Sequence, residues 1–173
     1  LDNNKQVLII ERDIEDNFGG LAKKSFGGIL FSGTPQQKKA GIKDSAALLY
    51  DDWMRFGKFT EHNNLGAQWA KFYSEHSVSL IYNWLINKKV EFLPVVNWPE
   101  RGMYIKGNSV PRWHITWGTG YYLSNKVVNY LLNHPNKEKL EIKFQHKVES
   151  VIIENKIENK PQSSGKIKFI GFD

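Results

Sequence analysis

The segment 107–120 concentrates side chains that could bind or polarise a small molecule. It places Arg112 and His114 two residues apart, together with several hydroxyl groups and two indoles. Arginine can hold a carboxylate through paired hydrogen bonds or polarise a carbonyl. Histidine can donate a hydrogen bond or a proton near neutral pH. The segment therefore predicts a substrate-side loop; a packed loop with a structural histidine is the alternative.

A short aliphatic run, Val7–Ile10, ends at an acidic residue, Glu11. Such a run predicts a strand that is buried on both faces, as in a parallel sheet. In dinucleotide-binding folds an acidic residue at the end of the second strand accepts hydrogen bonds from ribose hydroxyls. An ionised Glu suits this role because it only accepts, whereas a diol offers two donors. A solvated residue at a strand end is the alternative.

Two glycine pairs follow this strand, Gly19-Gly20 and Gly27-Gly28. Paired glycines let a backbone adopt positive φ and approach a ligand closely, and their amides can face a phosphate or a flavin edge. A pair of ordinary turns would explain them equally well. No G-x-G-x-x-G turn is present in the sequence.

The predicted elements alternate between strands and helices, which indicates an α/β or α+β fold. We expect Asp44 to cap a helix that ends at Phe56, and a longer helix over 65–87. We expect a strand over 90–96, a helix capped by Ser124, and three strands over 140–144, 148–153 and 166–169, the last two forming a hairpin. The segment 98–120 has no clean period, which is typical of functional loops.

Composition excludes several classes of protein. The chain has 173 residues, 40% of them hydrophobic, which is globular composition. It lacks cysteine, and its histidines show no metal-ligand spacing, so no metal site is predicted. No apolar run approaches the length of a membrane span. No signal peptide is visible, and a cytoplasmic location is favoured. The net charge of +6 is compatible with anionic ligands, but few Arg residues and no nucleic-acid motif argue against nucleic acid.

The three features occur in an order that resembles the FAD-binding dehydrogenases related to fumarate reductase and 3-ketosteroid dehydrogenase. The similarity covers most of the chain, from about Leu1 to Val151, and is most specific over 108–120. The residues that carry it lie in the segments 11–20, 25–28, 41–45, 52–53, 92–96, 98–102 and 107–120.

The resemblance implies a partial FAD/NAD(P)-binding Rossmann-like domain with additional helices and strands, whose first βα unit is missing. It implies hydride transfer between FAD and a C–C bond of a small-molecule substrate, either a steroid-like enone or a small dicarboxylate. The FAD contacts are expected at Glu11, Arg12, Gly19, Gly20, Ser25, Gly27, Gly28 and Val148. The substrate-side candidates are Arg112, His114, Thr116 and Tyr104.

We expect three parts: residues 1–60 as the remainder of the FAD-binding domain, 61–135 as a helical and loop region on the substrate side, and 136–173 as strands that return to the first part. The chain begins with Leu and lacks the phosphate-binding turn, so we expect an internal fragment that is inactive alone and self-associates through strand edges. Two alternatives are a non-enzymatic basic binding module, for nucleic acid or another anion, and a substrate-binding piece without chemistry.

Overall fold

The computed structural model describes residues 1–60, 64–149, 151–153 and 167–169. The chain forms two compact units. The first unit combines Leu1–Gly20 with Tyr130–Asp173, and the second unit comprises Leu21–Asn129. The three-part division expected from the sequence stays a prediction.

The first unit contains a parallel pair of strands, β1 (Val7–Ile10) and β4 (Leu140–Lys143). Val7 pairs with Leu140, so the carboxyl ends of both strands lie at the same edge. A second, antiparallel pair joins β5 (Val151–Ile153) to β6 (Ile167–Phe169), which confirms the predicted pairing of the last two strands. The first of these strands begins at Val151 and not at residue 148, and the segment that connects them lies outside the described residues. His134 Nε2 lies 2.7 Å from Asp2 Oδ1, and this contact connects the amino-terminal segment of the unit to its carboxy-terminal segment.

The second unit contains an antiparallel pair, β2 (Gly28–Leu30) and β3 (Trp113–Ile115). A short helix, α1 (Pro35–Lys39), begins at Thr34 with a reciprocal capping box between Thr34 and Gln37. Helix α5 (Thr119–Leu132) follows β3 and leads into the first unit. These elements place two segments that carry candidate residues, 25–34 and 112–120, side by side.

The remaining α-helices of the described residues all lie in the second unit. Helix α2 (Ala46–Phe56) packs against α3 (Leu65–His76). A π-helical stretch, Ser77–Tyr82, joins α3 to α4 (Asn83–Asn87), so the predicted helix over 65–87 is confirmed with a π segment inside it. One cluster of buried apolar residues consists of Phe31, Tyr82, Leu85 and Val90. Phe31 at the end of β2 contacts Tyr82 edge-to-face, which packs the strand pair against the helices.

Several predictions about elements were wrong. The strand Val7–Ile10 forms as predicted, but it is not buried on both faces, because Leu8 is 46% exposed. Residues 90–96 form no strand and contribute only an isolated bridge at Phe92. The segment runs antiparallel to β3, but a bend at Pro94 and Val95 interrupts the pairing, and proline has no amide proton to donate. Helix α5 begins at Thr119, so Ser124 lies inside it and caps nothing. Ser45, not Asp44, caps α2.

Candidate functional site

Glu11 lies directly after β1, at the carboxyl edge of the parallel pair. Its backbone continues the ladder: the amide donates to Lys143 O over 2.8 Å, and the carbonyl accepts from the amide of His146 over 2.9 Å. One carboxylate oxygen accepts from the amide of Asp13 over 2.9 Å, which holds the side chain in a local turn. The carboxylate is therefore positioned at the edge where open α/β sheets bind their ligands.

The other candidate cofactor residues of the first unit leave their backbone or side chain accessible. Gly19 and Gly20 have φ values of 103° and 54°, which favour glycine. A Cβ at Gly20 would meet no protein atom within 4 Å, so the backbone there can be approached closely. Arg12 is exposed, and Val148 is 42% exposed. A carboxylate, an open glycine backbone and an exposed apolar side chain fit the polar and aromatic parts of FAD.

Gly27 and Gly28 in the second unit are explained by packing inside the protein. A Cβ at Gly27 would overlap Thr116 Oγ1 and the backbone that begins α5. A Cβ at Gly28 would overlap the indole of Trp113. Ser25 Oγ donates to Ala22 O over 2.8 Å and accepts from the amide of Gly27 over 3.2 Å. The sequence suggested close approach to a ligand here; within this unit the glycines serve the close approach of β2 to β3 and α5.

Arg112 is fully buried between two carboxylates. Its Nε and Nη2 donate to the two oxygens of Asp44, each over 2.9 Å. Its Nη1 donates to Asp52 Oδ2 over 2.6 Å and to Asn108 Oδ1 over 3.0 Å. The guanidinium is therefore satisfied within the protein by a bidentate pair and a second ion pair.

Asp52, on α2, is the centre of this cluster; it belongs to a segment that carries the family resemblance but is not among the predicted site residues. It accepts from the Ser109 amide over 2.7 Å, from Ser109 Oγ over 2.6 Å, from Arg112 and from Arg55. Burial alone raises the pKa of Asp52, but these hydrogen bonds more than offset it and lower the pKa to about 2. Arg55 also donates to the carbonyls of Lys106 and Gly107, so Asp52 organises the base of the loop 98–109.

His114, on β3, is 1% exposed and has a partner at each ring nitrogen. Nδ1 lies 2.8 Å from Arg112 O, and Nε2 lies 2.8 Å from Thr34 Oγ1. Burial lowers the pKa of His114, whereas the hydrogen bond to Arg112 and the charge of Asp44 raise it. The shift is downward, so the neutral imidazole is favoured near pH 7.

The last two substrate-side candidates lie in opposite environments. Thr116 is 1% exposed, and its hydroxyl oxygen lies 3.0 Å from Gly27 O and 2.8 Å from Thr119 O. Tyr104 is 94% exposed at the tip of the loop 98–109. His114 thus lies on β3, Arg112 directly precedes this strand and Thr116 directly follows it. Tyr104 lies apart from these three residues, on the loop 98–109. The substrate-side role assigned to these four residues stays a prediction.

Metal-binding clusters and membrane-crossing helices are both absent from the part of the chain that the structure describes. There, no group of three His, Cys, Asp or Glu residues is placed to hold a metal ion. Among the same residues, no helix combines the length and the apolar character that crossing a membrane requires.

Relatives with named activities match most of the chain. A KsdD-like steroid dehydrogenase of Mycobacterium tuberculosis is 36% identical over 157 residues, covering 88% of this chain and 27% of the relative. A KsdD-like steroid dehydrogenase of Mycolicibacterium smegmatis is 32% identical over 159 residues, covering 88% of this chain and 28% of the relative. The chain therefore spans little more than a quarter of the length of these relatives.

Two solved structures share the fold. The open conformation of a flavocytochrome c3 fumarate reductase has a TM-score of 0.56 at 17% identity, covering 87% of this chain and 28% of that chain. The Mycobacterium smegmatis Sdh1 complex in the apo form has a TM-score of 0.61 at 17% identity, covering 96% of this chain and 27% of that chain. These likenesses confirm the predicted fold class, a partial α/β FAD-binding domain.

A family model described as an FAD binding domain matches residues 2–167. This match confirms FAD as the cofactor of the family and the resemblance found in the sequence, and it gives no support to the alternative of a basic binding module. With the fold and the open carboxyl edge at Glu11, it establishes that the chain belongs to the FAD binding domain family.

Proposed function

We propose that this chain is part of an FAD-dependent dehydrogenase that moves a hydride between flavin and a C–C bond of its substrate. The observation that carries the proposal is the family match over residues 2–167, which includes the glycine pairs and the carboxyl edge of β1. FAD, when bound, supplies the hydride chemistry, and the protein supplies position and electrostatics.

The chain's own contribution to FAD binding is expected in both units. In the first unit, the carboxylate of Glu11 accepts hydrogen bonds from the ribose hydroxyls, and the open backbone at Gly19 and Gly20 faces the phosphates. The backbone at Val148 lies by the adenine, and Arg12 adds a positive charge. In the second unit, Ser25 lies at the surface with its hydroxyl hydrogen-bonded to Ala22 and Gly27, and Gly27 and Gly28 contribute by allowing the local packing.

A steroid-like substrate is favoured over a small dicarboxylate. The relatives at 32% and 36% identity are named as steroid dehydrogenases, whereas the fumarate reductase shares 17% identity. The arginine proposed from the sequence to hold a carboxylate, Arg112, is fully buried and already paired with Asp44 and Asp52. Its guanidinium already pairs with two carboxylates of the protein and is therefore not available to hold a dicarboxylate substrate.

The substrate-side residues then divide into two roles. Arg112, His114 and Thr116 hold β3 and the loop 98–109 in place through buried hydrogen bonds. Tyr104, at the exposed tip of that loop, is the member of the set that can touch a substrate.

The test of the proposal is flavin retention by the purified protein, measured as visible absorbance after excess FAD is added and unbound FAD removed. Glu11→Gln is compared with wild type and with Glu15→Gln, an exposed acidic residue of the same segment. Loss of a charged acceptor costs about 1.5 to 3 kcal/mol, roughly 10- to 100-fold in Kd. We expect this weakening for Glu11→Gln and little change for Glu15→Gln.

Where the chain alone retains no flavin, the same three proteins are compared within a polypeptide extended to the length of the relatives. Absence of flavin from both forms would refute the proposal. Equal FAD affinity of Glu11→Gln and wild type would refute the role of Glu11 alone.

A further inference from the structure

His114 lies between two oxygen atoms that determine where its protons are. Nδ1 is 2.8 Å from the carbonyl oxygen of Arg112, and a carbonyl oxygen only accepts. Nδ1 therefore carries a proton in this arrangement. Nε2 is 2.8 Å from the hydroxyl oxygen of Thr34, which can donate or accept. The direction of this second hydrogen bond decides whether the imidazole is neutral or charged.

The surroundings of His114 favour the neutral form. The charged groups that face it are Asp44 and Arg112, and these two already form a bidentate pair with each other. A buried charge without its own partner is costly, so a neutral imidazole suits this position. Three aromatic rings also lie near it, with centroids 5.3 to 6.1 Å away, those of Phe31, Tyr82 and Phe92.

Gln37 orients the hydroxyl of Thr34. The amide nitrogen of Gln37 donates to Pro111 O over 2.7 Å and to Asp44 Oδ2 over 2.8 Å. Both partners accept only, so the amide oxygen must point towards Thr34, where it accepts from the backbone amide over 3.0 Å. The Thr34 hydroxyl oxygen accepts from the backbone amide of Gln37 over 3.2 Å. For the hydroxyl proton, His114 Nε2 at 2.8 Å is a closer acceptor than the side-chain oxygen of Gln37 at 3.4 Å, so the proton is directed to His114.

We propose that Thr34 is a positioning residue whose hydroxyl donates to Nε2 of His114 and holds the imidazole as the Nδ1–H tautomer. The consequence for the substrate rests on the proposed function. With both ring nitrogens engaged inside the protein, His114 positions β3 and exchanges no proton with a substrate. Proton transfer in the reaction then falls to an exposed group.

The first experiment measures the tautomer in the wild-type chain without flavin, by long-range ¹H–¹⁵N NMR of the imidazole rings at pH 7. The signals of His114 are assigned by their loss in His114→Gln. We expect a proton on Nδ1 and none on Nε2. A proton on Nε2 alone, or on both nitrogens, would overturn the proposal.

The second experiment compares Thr34→Val, which removes the hydroxyl at nearly constant shape, with Thr34→Ser, which keeps it. We expect the Nε2 resonance to move towards that of an imidazole nitrogen without a donor in Thr34→Val and to stay at its wild-type position in Thr34→Ser. An unchanged Nε2 resonance in Thr34→Val contradicts the proposal, because a role in folding alone would not move this signal.

Thr34 also caps α1, so a cap control is needed. Ser45→Ala removes the cap of α2, whose partner is the Leu48 amide, and should leave the His114 signals in place. A proton on Nε2 in the wild-type spectrum overturns the proposal even where Thr34→Val does not fold. None of these measurements involves flavin, so a failure of FAD binding would leave this inference standing, and the reverse also holds.

Discussion

At the scale of single residues, the buried ion pairs of Asp44, Arg112 and Asp52 are the main feature of the second unit. Removing three charges from water is costly, and the cost is offset only where each group has several partners. Here Arg112 has three partner side chains, and Asp52 accepts from three residues. The cluster thereby joins α2 to the base of the loop 98–109, the part of the molecule that carries Tyr104.

Asp52→Asn is expected to destabilise the chain strongly, since it leaves Arg112 and Arg55 facing a neutral amide. Breaking one side of a buried ion pair costs about 3 to 5 kcal/mol. Asp51→Asn, an exposed carboxylate on the same helix, is expected to change the free energy of unfolding by less than about 0.5 kcal/mol. Urea denaturation measures both. Equal midpoints for the two variants would show that the cluster contributes no stability.

His114 is expected to make the stability depend on pH. Burial lowers its pKa below the ordinary value of 6.5. Because the unfolded chain then binds the proton first, the contribution of His114 to stability is present above about pH 6.5 and is lost as the pH falls below it. We expect the free energy of unfolding to fall less steeply between about pH 7.5 and 5 in His114→Gln than in wild type. Parallel slopes in urea denaturation contradict this expectation.

At the scale of elements, the junction of β2, β3 and α5 depends on glycine. Gly27 has a φ of 72° and lies against the start of α5. Gly41 has nearly the same φ, 71°, but a Cβ there would meet nothing within 4 Å. The two positions therefore separate backbone strain from crowding.

Gly41→Ala is expected to cost about 1 to 2 kcal/mol, the strain of a left-handed backbone with a Cβ. Gly27→Ala is expected to cost about 1 to 3 kcal/mol more, because the overlapping atoms include backbone that cannot move without shifting α5. Thermal or urea unfolding of the two variants gives the difference. If the Gly27→Ala protein is no less stable than the Gly41→Ala protein, the atoms around Gly27 can move aside at little cost in the free energy of unfolding.

At the scale of the whole molecule, the self-association and the cytoplasmic location inferred from the sequence both stay predictions. Within the described residues, the β1–β4 sheet has two strands, so each has one edge without a strand partner. Leu8 on β1 is 46% exposed and lies opposite Glu141 in the register. An exposed strand edge with an apolar side chain is a template for pairing with another chain.

Leu8→Lys is expected to reduce self-association, since it places a charge on the strand edge while an ammonium opposite Glu141 is compatible with the pair. Ile14→Lys alters a similarly exposed apolar side chain outside the strand and serves as the control. Sedimentation velocity over a range of protein concentrations measures the effect. If Ile14→Lys reduces association as much as Leu8→Lys, the strand edge is not the cause.

Local patterns were sufficient for the features that depend on neighbours in sequence. The strand Val7–Ile10, the end of α2 at Phe56 and the helical span 65–87 are confirmed, because aliphatic runs and periodic apolar residues report directly on local backbone conformation. The family, the fold class and FAD also followed from the sequence, because the glycine pairs and the segment 107–120 occur in a specific order.

Only the tertiary structure decided what the candidate residues contact. Arg112 meets partners 68 and 60 residues away, and His114 meets Thr34 across 80 residues, so no local pattern contains these pairs. The sequence identified Arg112 and His114 as groups that could bind or polarise a substrate. Their burial and hydrogen-bond partners determine whether they face a ligand. The physical reason is that a side chain's chemistry is local, whereas its exposure and its partners are set by long-range packing.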